Sequence, residues 1–328
     1  MTTVDRARIR IGVVGAGGVA ARHVKVLSGM DDAQVVGIAD LDPERAGRLA
    51  AECGAQAWPD AEAMLAGGRP DAVYICVPPG AHGAPEEVVL AAGRPMFVEK
   101  PLAADLATAE GLAARVSAAG VITATGYHWR HLDTVATARE LLADRPVGIA
   151  SASWWGAMPP PPWWRLRSGS GGQVVEQATH VLDLLRVLVG EVAVVHASSS
   201  RFGHAGPADD PDVVDDATVA LLRFRGGAVA TVSATCLADR PHRADIELVA
   251  GGLALELTEE KLVSADREWR PVKDAREAVD RAFLDALHAD DPTLVGADYA
   301  EALRTHAVAC AIATAARTGA PVRLDGAG

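Results

Sequence analysis

The sequence predicts an α/β protein in two parts. The first is an N-terminal doubly wound domain on a parallel sheet. The second is a C-terminal α+β domain with an open, mainly antiparallel sheet. Over residues 10–126, short apolar runs alternate with Ala/Leu/Glu/Arg-rich stretches. Those runs are continuously apolar, as strands covered on both faces must be. After Gly126 strand-like runs follow one another without helices between them, which calls for antiparallel pairing. The parts are drawn as 1–126 and 127–328, and 49% hydrophobic residues supply both cores.

In the first part, strands are expected at 11–14, 35–39, 72–77, 96–98 and 121–124, with helices at 20–28, 43–52, 62–65, 85–92 and 104–118. Right-handed crossovers then give a doubly wound sheet. In the second part, a helix at 134–142 leads to a strand at 148–155 and a Pro/Trp loop. A long helix at 173–188 follows. Strands at 192–200, 218–224, 228–235, 245–250 and 253–257 come next, with Arg225-Gly226-Gly227 as a hairpin turn. Helices at 276–289 and 299–317 close the chain.

Composition narrows the partners. A net charge of −12 with no basic stripe argues against nucleic acid and anionic membrane. Cys53, Cys76, Cys236 and Cys310 form no short-spaced pair, which fits a reduced, cytoplasmic compartment. Residues 1–10 lack a signal-peptide apolar core, and no window reaches the ~18 apolar residues of a membrane span.

Gly15-Ala16-Gly17-Gly18-Val19-Ala20 directly follows the first strand and opens a helix. Dinucleotide binding asks for a glycine at the tight turn, a second where backbone meets pyrophosphate, and a small residue where helix packs on strand. Gly15, Gly17 and Ala20 fit those places, with Gly18 and Val19 presenting N–H groups at the helix start. The turn therefore reads as a dinucleotide-binding one. Asp40 ends the next strand, where a carboxylate accepts ribose hydroxyls. With no adjacent Arg or Lys it favours NAD, leaving NADP as the alternative. Asp42 reads as the cap of the following helix. Pro78 and His82, beyond the fourth strand, either contact the nicotinamide ribose or simply form a loop.

Lys100 lies in Met96-Phe97-Val98-Glu99-Lys100-Pro101, where an apolar strand runs into proline. A lysine at a buried strand end shifts its pKa readily and suits proton chemistry, although snorkelling to solvent gives the same pattern. Gly171-Gly172 precede Glu176, His180 and Asp183, spaced to share one helical face. Histidine exchanges protons near neutral pH, and Glu176 would orient or charge the ring. A solvated helix face and a core histidine are the other readings. A metal site is not expected, because no second His cluster completes a ligand set.

The Gly15/Gly17/Ala20 turn, Glu99-Lys100-Pro101, Tyr127-His128-Trp129-Arg130 and Gly171-Gly172…Glu176…His180…Asp183 occur in that order. Together they resemble the glucose–fructose oxidoreductase/inositol dehydrogenase/rhizopine-catabolism (Gfo/Idh/MocA) family over nearly the whole chain. The resemblance implies a Rossmann domain with an α/β domain whose open sheet often serves oligomerisation. It also implies that Lys100 and His180 serve a reacting carbinol or carbonyl. Glu99 and Lys100 join the cofactor-binding candidates; Tyr127, His128, Arg130 and Asp183 join the substrate-binding ones. The chain departs from the family pattern at Glu176, where aspartate is usual, and at His128, where a small polar residue is common.

The expected activity is hydride transfer between nicotinamide and a secondary hydroxyl or ketone of a sugar, cyclitol or sugar derivative. Catalysis is assigned to Lys100, His180 and Glu176. Five of seven tryptophans, among them Trp155 and Trp164, gather near Pro159–Pro162; they suit either the C–H faces of a sugar ring or packing in a core or subunit interface. Arg165 suits a carboxylate or phosphate. A homodimer or homotetramer is expected. The alternatives are a redox-neutral NAD-dependent elimination or glycoside cleavage, and a non-catalytic NAD-binding protein.

Overall fold

The computed structural model describes residues 7–324. The chain divides into two compact units. One comprises Met1–Leu102, Ala107–His128 and Arg276–Glu301; the other comprises Ala103–Leu106, Trp129–Ala275 and Ala302–Gly328. Division of the sequence at 126/127 leaves all of the late chain in the second part, whereas Arg276–Glu301 packs with the first.

The first unit holds strands β1 (Ile9–Val14), β2 (Ala33–Ala39), β3 (Gln56–Trp58), β4 (Ala72–Ile75), β5 (Met96–Val98) and β6 (Thr123–Thr125). They form one parallel sheet in the order β3-β2-β1-β4-β5-β6. The connecting helices are α1 (Gly18–Ser28), α2 (Pro43–Cys53), the single turn α3 (Ala61–Ala63), α4 (Ala84–Ala91) and α5 (Leu106–Ala119). All residues of β4 and β5 are buried, as their continuous apolar runs require. Strand β3, too short for a periodic signal, is an edge strand the sequence did not reveal.

From β1 the chain winds to one side through β2 and β3, then returns beside β1 at β4 and winds the other way. The gap outside the carboxyl ends of β1 and β4 is thus the topological switch point. The Ala275–Ala289 helix adds Val279, Phe283 and Leu284 to this unit's core. Tyr74 and Phe97 stack at 4.6 Å, and Phe283 meets both edge-on at 5.6 and 5.8 Å.

In the second unit are α6 (Asp133–Leu142), β7 (Val147–Trp155), α7 (Arg167–Ser170), α8 (Gln173–Glu176) and α9 (Thr179–Val189). Strands β8 (Val192–Ser200), β9 (Ala217–Phe224), β10 (Val229–Thr235), β11 (Arg243–Ala250), β12 (Leu253–Thr258), β13 (Leu262–Ser264), β14 (Arg267–Trp269) and β15 (Val322–Arg323) follow. The nine strands order as β14-β13-β12-β11-β7-β10-β9-β8-β15. Every pair is antiparallel except β7–β10, where the chain crosses over through α9 before returning.

Buried residues of α6, α9 and the Tyr299–Thr318 helix share one hydrophobic core with the sheet's inner face. The other face shows alternation, with Ile149, Val219, Leu221, Val229 and Val249 exposed. The expected single helix over 173–188 is two helices. The Ala178 N–H reaches back five residues to the Gln173 carbonyl, and regular i→i−4 bonding resumes only at Leu182.

Phe283 joins a helix from the end of the chain to the first unit's aromatic core. Phe283→Ala should destabilise that unit by about 3–5 kcal/mol, measurable as a lower denaturant midpoint with an unchanged slope.

Candidate active site

Gly15 follows β1 at φ +94°, and a Cβ there would lie 2.3 Å from the Cys76 carbonyl oxygen beside β4. Protein packing alone therefore requires glycine at this position. Gly17 and Gly18 are different: an added Cβ would meet no protein atom within 4 Å at either. Gly17 heads α1 without a side-chain cap, so the N–H groups of its first turn open into that space beside the half-exposed Val19. A pyrophosphate fits both features.

Asp40 follows β2. One of its oxygens accepts the Ala16 N–H at 2.7 Å and the other the Asp42 N–H at 2.8 Å. Asp42 caps α2 through the Glu44 and Arg45 N–H groups, as expected. Arg45 corrects one premise, because its guanidinium reaches Asp40 at 3.2 Å. The basic neighbour judged missing along the chain is supplied from the first turn of α2, one helical turn beyond the cap.

Pro78 begins the short turn leading to His82. That histidine turns onto Glu86, Nδ1 to Oε1 at 2.5 Å, and Glu86 also accepts the Gly83 N–H at 2.7 Å. Both side chains are buried, so His82 is tied to the start of α4. Tyr127 and His128, just beyond β6, are also buried.

Lys100 stands two residues past β5, half-buried. The Glu99 carboxylate turns inward: Oε1 meets His23 Nε2 at 2.9 Å and Oε2 accepts the Lys100 backbone N–H at 3.1 Å. His23 Nδ1 meets Asp280 at 2.7 Å. Burial disfavours the charged imidazole, yet Asp280 and Glu99 together raise His23 to about 9. Burial likewise opposes ionised Glu99, but His23 holds it down at about 2. Asp280 is raised, because burial outweighs its histidine partner. A lone histidine on α1 gave no sequence signal, and Asp280 comes from 257 residues away.

In the second unit, His180 near the start of α9 lies almost parallel to two indoles. Its ring centroid is 6.0 Å from Trp129 and 5.8 Å from Trp154. Strand pleating places the adjacent Trp155 on the opposite face of the sheet. There its indole N–H donates to Ser233, and its ring stacks on His242 under Arg243. Of the two, Trp154 is the one that lies beside His180.

Glu176 does not share a continuous face with His180, because the chain breaks between α8 and α9. Its carboxylate accepts the N–H of fully buried Trp164 at 2.8 Å. Arg130 and Asp183, expected as separate substrate contacts, pair with each other at 2.5 and 2.6 Å, and Thr305 donates to the same carboxylate at 2.7 Å. Arg165 is exposed on the Pro162–Arg165 turn. Among the described residues no cluster of His, Cys, Asp or Glu is arranged to hold a metal.

The buried His23 pair fixes the sign of a pH response. Its contribution is complete below the unfolded pKa of 6.5 and is lost as pH rises through about 9. Glu99 contributes above its ordinary 4.5, and that is lost as pH falls through about 2. The urea midpoint should therefore decline between about pH 6.5 and 9 in the native protein, and the decline should flatten in His23→Gln.

Residues 9–127 match the family model described as an oxidoreductase family with an NAD-binding Rossmann fold, and residues 135–253 match the GFO/IDH/MocA C-terminal domain. The chain is 35% identical over 142 residues to a dTDP-3,4-didehydro-2,6-dideoxy-alpha-D-glucose 3-reductase of Streptomyces antibioticus, a match spanning 43% of each protein. It is 30% identical over 236 residues to the UDP-N-acetylglucosamine 3-dehydrogenase of Acidithiobacillus ferrooxidans, covering 72% of this chain and 69% of that one. Among solved structures, GenD2 from gentamicin A biosynthesis in complex with NAD superimposes with a TM-score of 0.86 at 22% identity, covering 99% of both chains. With the Gly15 turn, the parallel sheet and both domain matches in agreement, the chain belongs to the Gfo/Idh/MocA family of NAD-binding oxidoreductases.

Proposed function

We propose that this protein is an NAD-dependent dehydrogenase acting at a secondary hydroxyl or ketone of a sugar, cyclitol or sugar derivative. One edge of one sheet carries the reading. Gly15, Asp40, Pro78 and Lys100 all follow the carboxyl ends of parallel strands in the first unit, where nucleotide ligands bind doubly wound folds. Gly15, Gly17, Gly18 and Asp40 would hold NAD, which supplies the hydride acceptor when bound. Relatives named for nucleotide-sugar oxidation and reduction support the substrate class.

Lys100 donates a hydrogen bond to the reacting oxygen and stabilises negative charge as it develops there. His180 removes or returns the hydroxyl proton. The indoles beside it hold the ring's orientation. Trp129 and Trp154 take over the sugar-facing role expected of Trp155. Arg130 and Asp183 brace one another near the start of α9 and so fix that helix.

The apolar face formed by Ile149, Val219, Leu221, Val229 and Val249 supports a homodimer or homotetramer built on the second unit's sheet. No disulfide joins any of the four cysteines, which supports a cytoplasmic setting. No helix among the described residues is long and apolar enough to cross a membrane.

Initial rates across a sugar and polyol panel should show NADH rising in step with product. Product without NADH would mark redox-neutral chemistry instead. Lys100→Ala should abolish turnover while NAD binding persists, and His180→Ala should cost about 10²–10⁴-fold in kcat. Near-native kcat in Lys100→Ala would overturn its assignment. Leu221→Lys should reduce the native mass measured by light scattering to that of one chain, with the fold retained by circular dichroism.

A further inference from the structure

Three charged side chains from distant parts of the sequence meet inside the first unit, immediately behind Lys100. His23 comes from α1, Glu99 from the end of β5, and Asp280 from the Ala275–Ala289 helix; all are under 5% exposed. Each ring nitrogen of His23 faces a carboxylate, Nδ1 at 2.7 Å and Nε2 at 2.9 Å. Ionised carboxylates only accept, so a ring satisfied on both sides carries both protons. Tyr74 and Phe97 lie 5.2 and 5.0 Å from the ring centroid.

The Glu99 carboxylate is fixed from three directions. His23 takes one oxygen, the Lys100 backbone N–H the other, and a Cβ at Gly126 would lie 2.4 Å from it. Gly126 is therefore glycine to make room for this carboxylate. Buried ions of this kind cost more desolvation than an apolar trio that could join the same three elements. Structural bonding alone leaves the charge unexplained.

We propose that His23, backed by Asp280, is a positioning residue for Lys100: it keeps the Glu99 carboxylate ionised and seated on the Lys100 backbone N–H, presenting the lysine from a fixed peptide beside a fixed negative charge. This rests on reading Lys100 as the group that serves the reacting oxygen. The charged and titratable groups facing the network are few. Asp280 and Glu99 face His23, as does the Tyr74 side chain. Glu99 is also faced by Lys100, and by the Arg22 guanidinium at 3.5 Å. The Cys76 thiol beside β4 is pushed well up by burial and stays neutral. Arg281, next to Asp280 in sequence, is paired with Asp32.

The chain has four lysines, Lys25, Lys100, Lys261 and Lys273, so 13C labelling at lysine Cε gives a spectrum in which Lys100→Arg identifies one signal. In the NAD-saturated protein at fixed pH, Glu99→Gln should displace the Lys100 signal. His23→Gln should move it the same way, because Glu99 without its imidazolium takes up a proton. The wild-type His23 ring should show both nitrogens protonated at about pH 8 by 15N spectroscopy. In His23→Gln, kcat should fall at least about tenfold and the pH profile should shift, with NAD affinity within about twofold.

A neutral His23 in the wild type overturns the proposal. So does a Lys100 signal left in place by Glu99→Gln, or one moved in the opposite direction by His23→Gln. Asp280→Asn, which leaves the Glu99 contact intact, serves if His23→Gln fails to fold, with a smaller displacement in the same direction expected. If no sugar is turned over, the dehydrogenase reading fails at the wild type, while the spectroscopic arms still decide this one.

Discussion

The carbonyl of Cys76 occupies the space that a side chain on Gly15 would need, and the nucleotide end of the first unit is organised around that close approach. Adjacent parallel strands β1 and β4 bring the two backbones together at the switch point. The chain leaves β1 in a conformation that favours glycine and enters α1 immediately. The turn aims the amino end of α1 along the sheet edge, and Asp40 braces it through the Ala16 N–H. A bulkier residue at position 15 would displace β4 or the helix, and with either the donors for a pyrophosphate. Fold and binding chemistry therefore share one steric requirement here.

Charge is used sparingly but deeply in the same unit. His23, Glu99 and Asp280 are held where water does not reach them. Each is tolerable only because the others are present, since breaking a buried pair leaves an uncompensated ion. Two of their elements come from the first third of the sequence and one from the last. The late helix thereby becomes part of the nucleotide-binding unit, through Asp280 and Phe283 on its buried face. This accounts for Arg276–Glu301 packing with strands laid down more than 150 residues earlier.

In the second unit the deciding factor is strand parity. Trp154 and Trp155 are neighbours in sequence and opposites in space: one flanks His180, the other joins Ser233, His242 and Arg243 across the sheet. The break between α8 and α9 has a similar effect. It turns Glu176 onto the Trp164 indole and leaves His180 and Asp183 on a separate helix, where Asp183 is tied to Arg130 and Thr305. An i, i+4 spacing implies a shared face only while the helix is unbroken.

Local pattern was enough to read the parallel sheet, the glycine turn, the short strand ahead of Lys100 and the alternation of the second sheet. These follow from periodicity and local backbone chemistry, which act between residues close along the chain. Edge strands of two or three residues, such as β3 and β15, carry too few positions for a period to show. The tertiary structure alone decided that Arg45 reaches Asp40, that Arg130 pairs with Asp183, and which tryptophan meets His180. It alone also placed His23 and Asp280 behind Glu99. Hydrogen bonds and ion pairs require only proximity in space, and 257 residues of intervening chain leave no local trace of one.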